Sequence, residues 1–318
     1  MSFDVITLGE AMLRLSVPAG TSLEAAVQLD LHVAGAEANT AIALAQLGRS
    51  VTWVSSLPQS PIGRRVSREL QAYGVDVSHV RWSDEQRMGV YYVELAAPPR
   101  PVRVVYDRAG STAAAMTSED FPFDLLDSAQ VVHITGITPA LSMDCRRLAL
   151  AVVNRARSSD CLLTLDVNYR AKLWSPEEAR STLADLARGA DVVVLTREDA
   201  RDVFDLNGEP ADVAERARDQ LETDSLVLTL NDQGAIWVSE DGSGEIEAHP
   251  TAVIDRLGAG DAFMAGIIDG LIDGDLRRGL ATGTALASLA LGTHGDHVVA
   301  TREHVQGMID VGGRSVDR

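Results

Sequence analysis

The residues from Asp255 to Gly266 combine a glycine-rich turn with a carboxylate, and they read Asp-Arg-Leu-Gly-Ala-Gly-Asp-Ala-Phe-Met-Ala-Gly. Gly258 and Gly260 allow a tight turn in which the backbone approaches a ligand closely. Apolar residues at helical spacing follow, and they predict a helix over 262–274. The unpartnered amides at the start of a helix, together with the helix dipole, bind anions such as phosphate.

Asp261 stands at the edge of this predicted anion site, where a further negative charge is unfavourable unless it takes part in the chemistry. A carboxylate in this position can accept the proton of a hydroxyl group that attacks the phosphate. The alternative is an ordinary turn in which Asp261 is the N-cap of the helix. Two glycines at this spacing do not by themselves decide between a catalytic base and a helix cap.

Other polar residues follow predicted elements in the same way. The segment Asp166-Val-Asn-Tyr-Arg170 comes directly after a buried strand, at the end where open α/β sheets bind their ligands. Arg170 can bind a carboxylate or a phosphate through two parallel hydrogen bonds, whereas the alternative is a surface loop with a structural Arg–Asp pair. Gly35 and Asn39 begin another predicted helix, and a helix cap alone would also explain them.

The elements that must position these residues alternate along the chain, as in a parallel sheet with crossover helices. The predicted strands are 5–8, 51–55, 131–134, 162–166, 192–195, 225–229 and 235–238. The predicted helices are 38–47, 61–73, 143–157, 176–187, 211–222, 262–274 and 277–292. Strands dominated by Val, Leu and Ile favour a sheet that is covered on both faces. The 318 residues contain no linker, so we expect a single α/β domain over residues 1–318.

Two pairs of extended segments interrupt this alternation. They are 13–17 with 27–33, and 88–96 with 102–108. We interpret the segments 13–33 and 88–108 as a small β-sheet that acts as a lid or a dimer surface, while a plain edge decoration is the alternative. Tyr91, Tyr106 and Arg108 lie on these strands, where they could close over a polar ligand or simply face solvent.

Composition excludes several functions. The net charge of −18 argues against a nucleic-acid partner, whose phosphates need a basic surface. Lys172 is the only lysine, so the chain has no Walker-type phosphate loop. Cys145 and Cys161 are too few for a disulfide framework, and we expect buried free thiols. No signal peptide and no membrane-spanning stretch is recognisable, and we therefore expect a cytoplasmic protein without a membrane partner.

The stretch 255–266 resembles the signature of the ribokinase-like (PfkB) carbohydrate kinases at nearly every position. Further motifs, spread over essentially the whole chain, make it most similar to the 2-keto-3-deoxygluconate kinases. These motifs are Tyr106-x-Arg108, Gly136-Ile-Thr-Pro-Ala-Leu-Ser142, Asp166-x-Asn-Tyr-Arg170 with Leu173-Trp174, Asp255-Arg256, and Gly295-Asp296. The resemblance implies a ribokinase-like three-layer α/β sandwich, with a central, mostly parallel sheet and a small β-sheet lid. It also implies a homo-oligomer, a dimer or higher, that associates through the lid.

The activity that the resemblance implies is transfer of phosphate from ATP, with Mg²⁺, to the terminal hydroxyl of 2-keto-3-deoxygluconate, which gives 2-keto-3-deoxy-6-phosphogluconate. The catalytic base would be Asp261, and the transferred phosphate would be held by Gly258, Ala259 and Gly260. The substrate carboxylate would be bound by Arg108 and Arg170. The other sugar contacts would be Gly35, Asn39, Tyr91, Tyr106, the Ile137 backbone, Asn168 and Asp296. ATP would bind along Thr196, Thr229 and Gly234, and Mg²⁺ would be held by its phosphates and water near Asp199, without direct protein ligands.

Three positions depart from the family's pattern. Ala34 replaces the first glycine of the sugar motif, Thr196-Arg-Glu-Asp199 replaces Asn-x-x-Glu, and Asn231 replaces a glycine of the nucleotide loop. Asn tolerates a left-handed backbone better than most residues, so we expect the turn at Asn231 to survive. The alternatives that stay open are a fructokinase, a 2-keto-3-deoxygalactonate kinase, and a non-catalytic sugar or nucleotide sensor. An NAD-binding protein is disfavoured, because no Gly-x-Gly-x-x-Gly follows an early strand.

Overall fold

The computed structural model describes residues 2–18, 20–95 and 101–311, so positions 19 and 96–100 of the predicted lid lie outside the described residues. The strands are β1 (Val5–Leu8), β2 (Met12–Ser16), β3 (Asp30–Ala34), β4 (Val51–Pro58), β5 (Val80–Ser83), β6 (Val90–Glu94), β7 (Arg103–Asp107), β8 (Val131–Thr135), β9 (Leu162–Asp166), β10 (Val192–Thr196), β11 (Ser225–Thr229), β12 (Ala235–Ser239) and β13 (Gly242–Ile246). The α-helices are α1 (Ala36–Gln46), α2 (Pro61–Ala72), α3 (Ile137–Ala140), α4 (Met143–Ala156), α5 (Pro176–Ala187), α6 (Arg197–Phe204), α7 (Pro210–Leu221), α8 (Ala259–Ile272), α9 (Leu276–Leu291) and α10 (Arg302–Val311).

A nine-stranded sheet forms the centre of the molecule, in the order β13-β12-β11-β10-β9-β8-β1-β4-β5. The strands from β11 to β5 in this order are parallel, while β12 and β13 are antiparallel at one edge. Short connections link β11, β12 and β13, and only antiparallel neighbours can be joined in so few residues. The predicted mostly parallel sheet is confirmed.

Helices cover both faces of this sheet and give the predicted three layers. The apolar core on one face includes residues of α1, α2, α8, α9 and α10, and the core on the other face includes residues of α4, α5, α6 and α7. Val5 belongs to the first core and Ile6 to the second, as expected for successive residues of a strand. None of the helices in the described part of the chain has both the length and the apolar character needed to cross a membrane.

The extended pairs form a separate four-stranded sheet in the order β3-β2-β6-β7, which we call the lid sheet. Leu13 pairs with Val33 in antiparallel register, and Tyr91 pairs with Tyr106. The predicted segment 27–33 is a strand only from Asp30 onwards. The predicted second sheet is therefore confirmed, with a shorter third strand.

The helix after the glycine turn begins three residues earlier than predicted, at Ala259 rather than 262. Gly258 is its N-cap and adopts a left-handed backbone with φ of 82°. Asp261 is thus the third helical residue, and the interpretation of Asp261 as the N-cap is wrong. The sequence pattern also missed α3, α6, α10, β5 and β13, which are short or rich in charged residues and so lack a clear apolar period.

Candidate active site

The N-terminus of α8 presents backbone amides that have no partner within the helix. The first helical hydrogen bond of α8 joins the Ala262 amide to the Gly258 carbonyl at 2.9 Å, so the preceding amides have no helical partner. A Cβ at Gly258 would lie 1.5 Å from the Asp296 carbonyl oxygen, which explains why glycine is required there. Gly260 is exposed, so an anion can reach the turn.

Asp261 lies on the first turn of α8, half-buried, with its side chain held by α1. Asn39 donates from Nδ2 to Asp261 Oδ2 at 2.7 Å, and the Thr40 hydroxyl donates to the Asp261 carbonyl at 3.2 Å. Burial raises the pKa of Asp261 to about 8; the carboxylates of Asp166 and Asp296 add to this, while the Asn39 hydrogen bond and Arg170 oppose it. A carboxyl group with this pKa can accept a proton near neutral pH.

Asn39 has a second feature that points to a ligand. The residue is 4% exposed, and its Oδ1 has no hydrogen-bond partner within the described residues. Because buried polar atoms are normally paired, this oxygen is available to accept a hydrogen bond from a hydroxyl group beside Asp261. Gly35, the other residue predicted in this segment, is the N-cap of α1.

The carboxyl end of β9 brings Asp166, Asn168 and Arg170 to the same edge. Asn168 donates to Asp166 at 2.9 Å and has a left-handed backbone with φ of 41°, which is uncommon outside glycine and concentrates at functional sites. Burial and the charge of Asp199 raise the pKa of Asp166 to about 7, while Arg170 lowers it. Arg170 is exposed, and its charge lowers the pKa values of Asp166, Asp199 and Asp261, so it is an accessible cation near all three carboxylates.

The lid sheet contributes Tyr91 and Tyr106, whose ring centroids are 5.6 Å apart on neighbouring strands. The Tyr91 hydroxyl donates to Asp296, and Arg14 binds both Asp296 and Asp255. Burial raises the pKa of Asp296, whereas Arg14 and Tyr91 oppose this rise. The network joins the lid sheet to the turn before α8. Sequence reasoning missed Arg14 because its carboxylate partners lie more than 240 positions away along the chain.

Arg108 is buried against a carboxylate that the sequence did not single out. Its Nε donates to Glu10 Oε2 at 2.8 Å, and one terminal nitrogen donates to the same oxygen. Ser111 donates to the other oxygen of Glu10. The guanidinium also lies 5.8 Å from the centroid of the Tyr106 ring. Arg108 therefore enters the site as half of an ion pair, and its remaining terminal nitrogen is the one free to bind a ligand.

The residues predicted to bind the nucleotide lie at the same edge of the sheet, and some of them also stabilise the start of a helix or a turn. Thr196 and Thr229 are neighbours in the register of β10 and β11. Thr196 and Asp199 form a capping box at the start of α6: the Asp199 amide donates to Thr196 Oγ1 at 2.9 Å, and the Thr196 amide donates to Asp199 at 3.2 Å. Asn231 has φ of 56°, so the predicted left-handed turn is confirmed. Gly234 closes this turn, its amide bonded to the Asn231 carbonyl at 3.3 Å.

Ile137 is the remaining predicted sugar contact, at the start of α3. Its amide donates to Thr135 Oγ1 at 3.1 Å, which holds the backbone at the start of α3. Within the described residues, no three His, Cys, Asp or Glu side chains are grouped to hold a metal ion. Mg²⁺ usually keeps several of its waters and binds through substrate phosphates, so it does not need such a group of side chains.

The chain is similar to carbohydrate kinases over nearly its full length. Residues 2–301 match the model of the pfkB family carbohydrate kinase. The chain is 36% identical to a 2-dehydro-3-deoxygalactonokinase of Haloferax volcanii over 100% of both chains. It is 32% identical to a 2-dehydro-3-deoxygluconokinase of Thermoproteus tenax, over 92% of this chain and 90% of that one. The crystal structure of 2-dehydro-3-deoxygluconokinase from Thermotoga maritima superposes with a TM-score of 0.89 at 29% identity, covering 98% of this chain and 99% of that chain.

Proposed function

Because the chain belongs to the pfkB family of carbohydrate kinases, we propose that it transfers phosphate from ATP to the terminal hydroxyl of 2-keto-3-deoxygluconate. The observation that carries this proposal is the pairing of Asp261, whose pKa is about 8, with the free amides of Ala259 and Gly260 on the same first turn of α8. A base and an anion site at this separation suit a hydroxyl that attacks a phosphate.

The cations of the site favour an acid sugar over a neutral one. Arg170 is exposed, and Arg108, whose guanidinium lies 5.8 Å from the Tyr106 ring centroid, keeps one terminal nitrogen that is not bonded to Glu10. A carboxylate bound by these two arginines would gain charge-assisted hydrogen bonds, which are roughly twice as strong as neutral ones. Arg170 lies near the carboxylates of Asp166, Asp199 and Asp261 but forms no salt bridge within the described residues, so its guanidinium can still bind a substrate carboxylate. We therefore assign Arg108 and Arg170 to the substrate carboxylate.

In the proposed reaction, Asp261 accepts the proton of the terminal hydroxyl while that oxygen forms a bond to the γ-phosphorus. The bond from this phosphorus to the β-phosphate oxygen breaks, and ADP leaves. The amides of Ala259 and Gly260 stabilise the charge on the phosphoryl oxygens. Mg²⁺, held by the ATP phosphates and by water near Asp199, would supply further neutralisation of this charge. Thr196, Thr229 and Gly234 would contact the nucleotide, and the lid sheet would exclude water.

The sugar itself would lie between the lid sheet and the ends of β8 and β9. Asn39 and Asn168 are the amide side chains at this position, and Tyr91 and Asp296 close the lid side through their hydrogen bond. Tyr106 and the Ile137 backbone complete the set of hydroxyl and keto contacts that we propose. Gly35, at the start of α1, would lie beside the sugar.

The 4-epimer, 2-keto-3-deoxygalactonate, is the second candidate substrate. It is favoured by the 36% identity to the Haloferax volcanii 2-dehydro-3-deoxygalactonokinase over the whole chain. Both epimers carry the carboxylate and terminal hydroxyl on which the proposal rests. The ratio of their kcat/KM values decides between them, because this ratio measures differential binding of the two transition states.

The proposal is tested by ADP release from Mg-ATP with a panel of both keto-deoxy acids, fructose and ribose. Absence of turnover with either acid contradicts it. Asp261→Asn should abolish turnover; activity within a few-fold of the parent would exclude Asp261 as the base. Arg170→Leu should raise KM for the acids about 10-fold or more, because a charged hydrogen-bond partner is lost. Arg147→Leu, which removes an exposed arginine on α4, is the matched control and should leave KM unchanged.

We also propose that the enzyme acts in the cytoplasm, where its donor ATP is available. It would be a homo-oligomer whose copies associate through the lid sheet. The outer face of this sheet carries a row of apolar side chains across all four strands: Leu31, Leu15, Tyr92 and Val105. Leu31 is 37% exposed and Val105 45% exposed. Leu31→Asp should shift the sedimentation coefficient to that of a monomer, while Ile62→Asp on α2 should not. A monomeric parent protein would contradict this assembly.

A further inference from the structure

Glu37 is a buried carboxyl group on the first turn of α1 for which the proposed reaction has no direct use. Its side chain is enclosed at the carboxyl edge of the main sheet and is 1% exposed as a residue. One of its oxygens, Oε1, accepts hydrogen bonds from Thr138 Oγ1 at 2.7 Å, from Thr135 Oγ1 at 2.8 Å and from the Thr135 amide at 3.2 Å. Three donors on one buried oxygen fix the position of the side chain closely.

The end of β1 closes the other side of this carboxyl group. A Cβ at Gly9 would lie 2.1 Å from the Glu37 carboxyl carbon, so only glycine leaves room for the side chain. Burial raises the pKa of Glu37, while the hydrogen bonds from Thr138 and Thr135 oppose this rise. Glu37 thus joins α1 to the ends of β1 and β8 and to the start of α3.

The same turn of α1 also carries the contacts to the proposed base. Asn39, two residues after Glu37, donates to Asp261 at 2.7 Å, and Thr40 donates to the Asp261 carbonyl at 3.2 Å. Thr135 Oγ1, which is bonded to Glu37, also accepts the hydrogen bond from the Ile137 amide at 3.1 Å. A displacement of Glu37 would therefore move Asn39 relative to Asp261 and would release the backbone at Ile137.

We infer that Glu37 is a positioning residue: it anchors the first turn of α1 so that the Asn39 amide is held against Asp261 and the Ile137 backbone against the sugar. The inference rests on the proposed function, in which Asp261 is the base. It assigns Glu37 no contact with either substrate. Its effect on the reaction passes through Asn39, because the hydrogen bond from Asn39 lowers the pKa of Asp261 and orients its carboxylate.

The test compares Glu37→Ala and Glu37→Gln with the parent in kcat, KM for each substrate and the pH dependence of kcat/KM. Glu37→Ala should lower kcat about 10-fold or more, since small misplacements of reacting groups are costly. In this variant the acidic limb of the kcat/KM pH profile should move to higher pH, while KM for ATP stays within about 2-fold of the parent value. Glu37→Gln should restore kcat to within about 3-fold, because its amide oxygen can accept from the same threonines.

A stability control separates positioning from simple destabilisation. Thr223→Val removes a buried hydroxyl that donates to the Ala190 carbonyl at 2.7 Å, at the opposite edge of the sheet. It should lower Tm without changing kcat or the pH limb. If folded Glu37→Ala has the parent's kcat and the parent's acidic limb in the kcat/KM pH profile, the inference is overturned. The same loss of kcat in Thr223→Val would also overturn it. If Glu37→Ala does not fold, Thr138→Val carries the test, with a smaller shift in the same direction expected and no shift overturning the inference.

A measurement without turnover separates this inference from the proposed substrate. The pKa of Asp261 can be followed by ¹³C NMR in aspartate-labelled protein without ligands, with the signal assigned by its loss in Asp261→Asn. The pKa should rise in Glu37→Ala because the Asn39 hydrogen bond is weakened. An unchanged pKa overturns the role of Glu37 even if the enzyme phosphorylates the keto-deoxy acids. A raised pKa supports it even if the substrate proves to be another sugar.

Discussion

The pH dependence of turnover is the sharpest test of Asp261 as the base. Burial, with the charges of Asp166 and Asp296, raises the pKa of Asp261 from 3.8 to about 8. A base acts only when deprotonated, so the rate should increase as pH rises through this value. With a pKa of about 8, roughly a tenth of the groups are ionised at pH 7 and roughly nine tenths at pH 9. The rate should therefore rise about 10-fold between these pH values.

The assay is the initial rate of ADP formation from pH 6 to 10, with Mg-ATP and the sugar acid both well below saturation. Under these conditions the rate follows the ionisation of the free enzyme. Asp166→Asn removes one of the charges that raise the pKa of Asp261, so the pH at which the rate rises should be lower than in the parent. The pKa of Asp261 should stay well above the ordinary aspartate range in this variant, because burial is the largest cause of the shift.

The matched control for this prediction is Asp191→Asn. Asp191 lies directly before β10, at the amino edge of the same sheet, where it accepts a hydrogen bond from the Leu163 amide at 2.7 Å. The substitution removes one carboxylate from the same sheet but far from Asp261, so the limb should not move. A rate that is flat from pH 6 to 9 would refute the assignment of the raised pKa to the base. An equal shift in Asp191→Asn would refute the role given to the local charge of Asp166.

Three further predictions concern the fold around the site. Gly258→Ala should prevent α8 from docking, since its Cβ would lie 1.5 Å from a carbonyl oxygen, whereas a Cβ at Gly260 meets nothing within 4 Å. Circular dichroism melting should thus show a large fall in Tm for Gly258→Ala and almost none for Gly260→Ala. Asp269 is fully buried among three arginines, so Asp269→Asn should cost roughly 3–5 kcal/mol and lower Tm by roughly 5–7 °C; an unchanged Tm would contradict this. Burial raises the pKa of Cys145 to about 11 and that of Cys161 to about 12. Neither thiol should therefore react with Ellman's reagent at pH 8 until the protein is unfolded. Fast labelling of the folded protein would contradict their burial.

The sequence was sufficient for the elements with a clear apolar period. All seven predicted strands and seven predicted helices are present, with boundaries that differ mostly by one to three residues. The same pattern failed for α6, whose residues Arg197–Phe204 include five charged side chains. A signal for this helix was available in Thr196 and Asp199, whose spacing is that of a capping box. Local hydrogen-bonding chemistry would have found what periodicity could not.

The partners of the predicted site residues could not be read from the sequence. Arg108 was predicted as a free cation for the substrate, but it is paired with Glu10, 98 positions earlier. Arg14 lies 282 positions from Asp296. In an isolated sequence, nothing marks Glu10, between β1 and β2, or Arg14, in the middle of β2, as the partner of a distant charge. The burial that gives these pairs their energetic weight exists only once the lid sheet packs against the main sheet.

The sequence alone therefore determined the chemical groups of the candidate site: the glycine turn, the carboxylate of Asp261 and the arginines that suit an acid. These depend on residue type and local spacing, because a glycine turn that opens a helix provides free amides wherever it occurs. The tertiary structure decided the state of those groups. The pKa of Asp261 is about 8 because α1, the end of β9 and the segment around Asp296 meet around it. Electrostatic interactions depend on distance and burial in space, and neither can be calculated from positions along the chain.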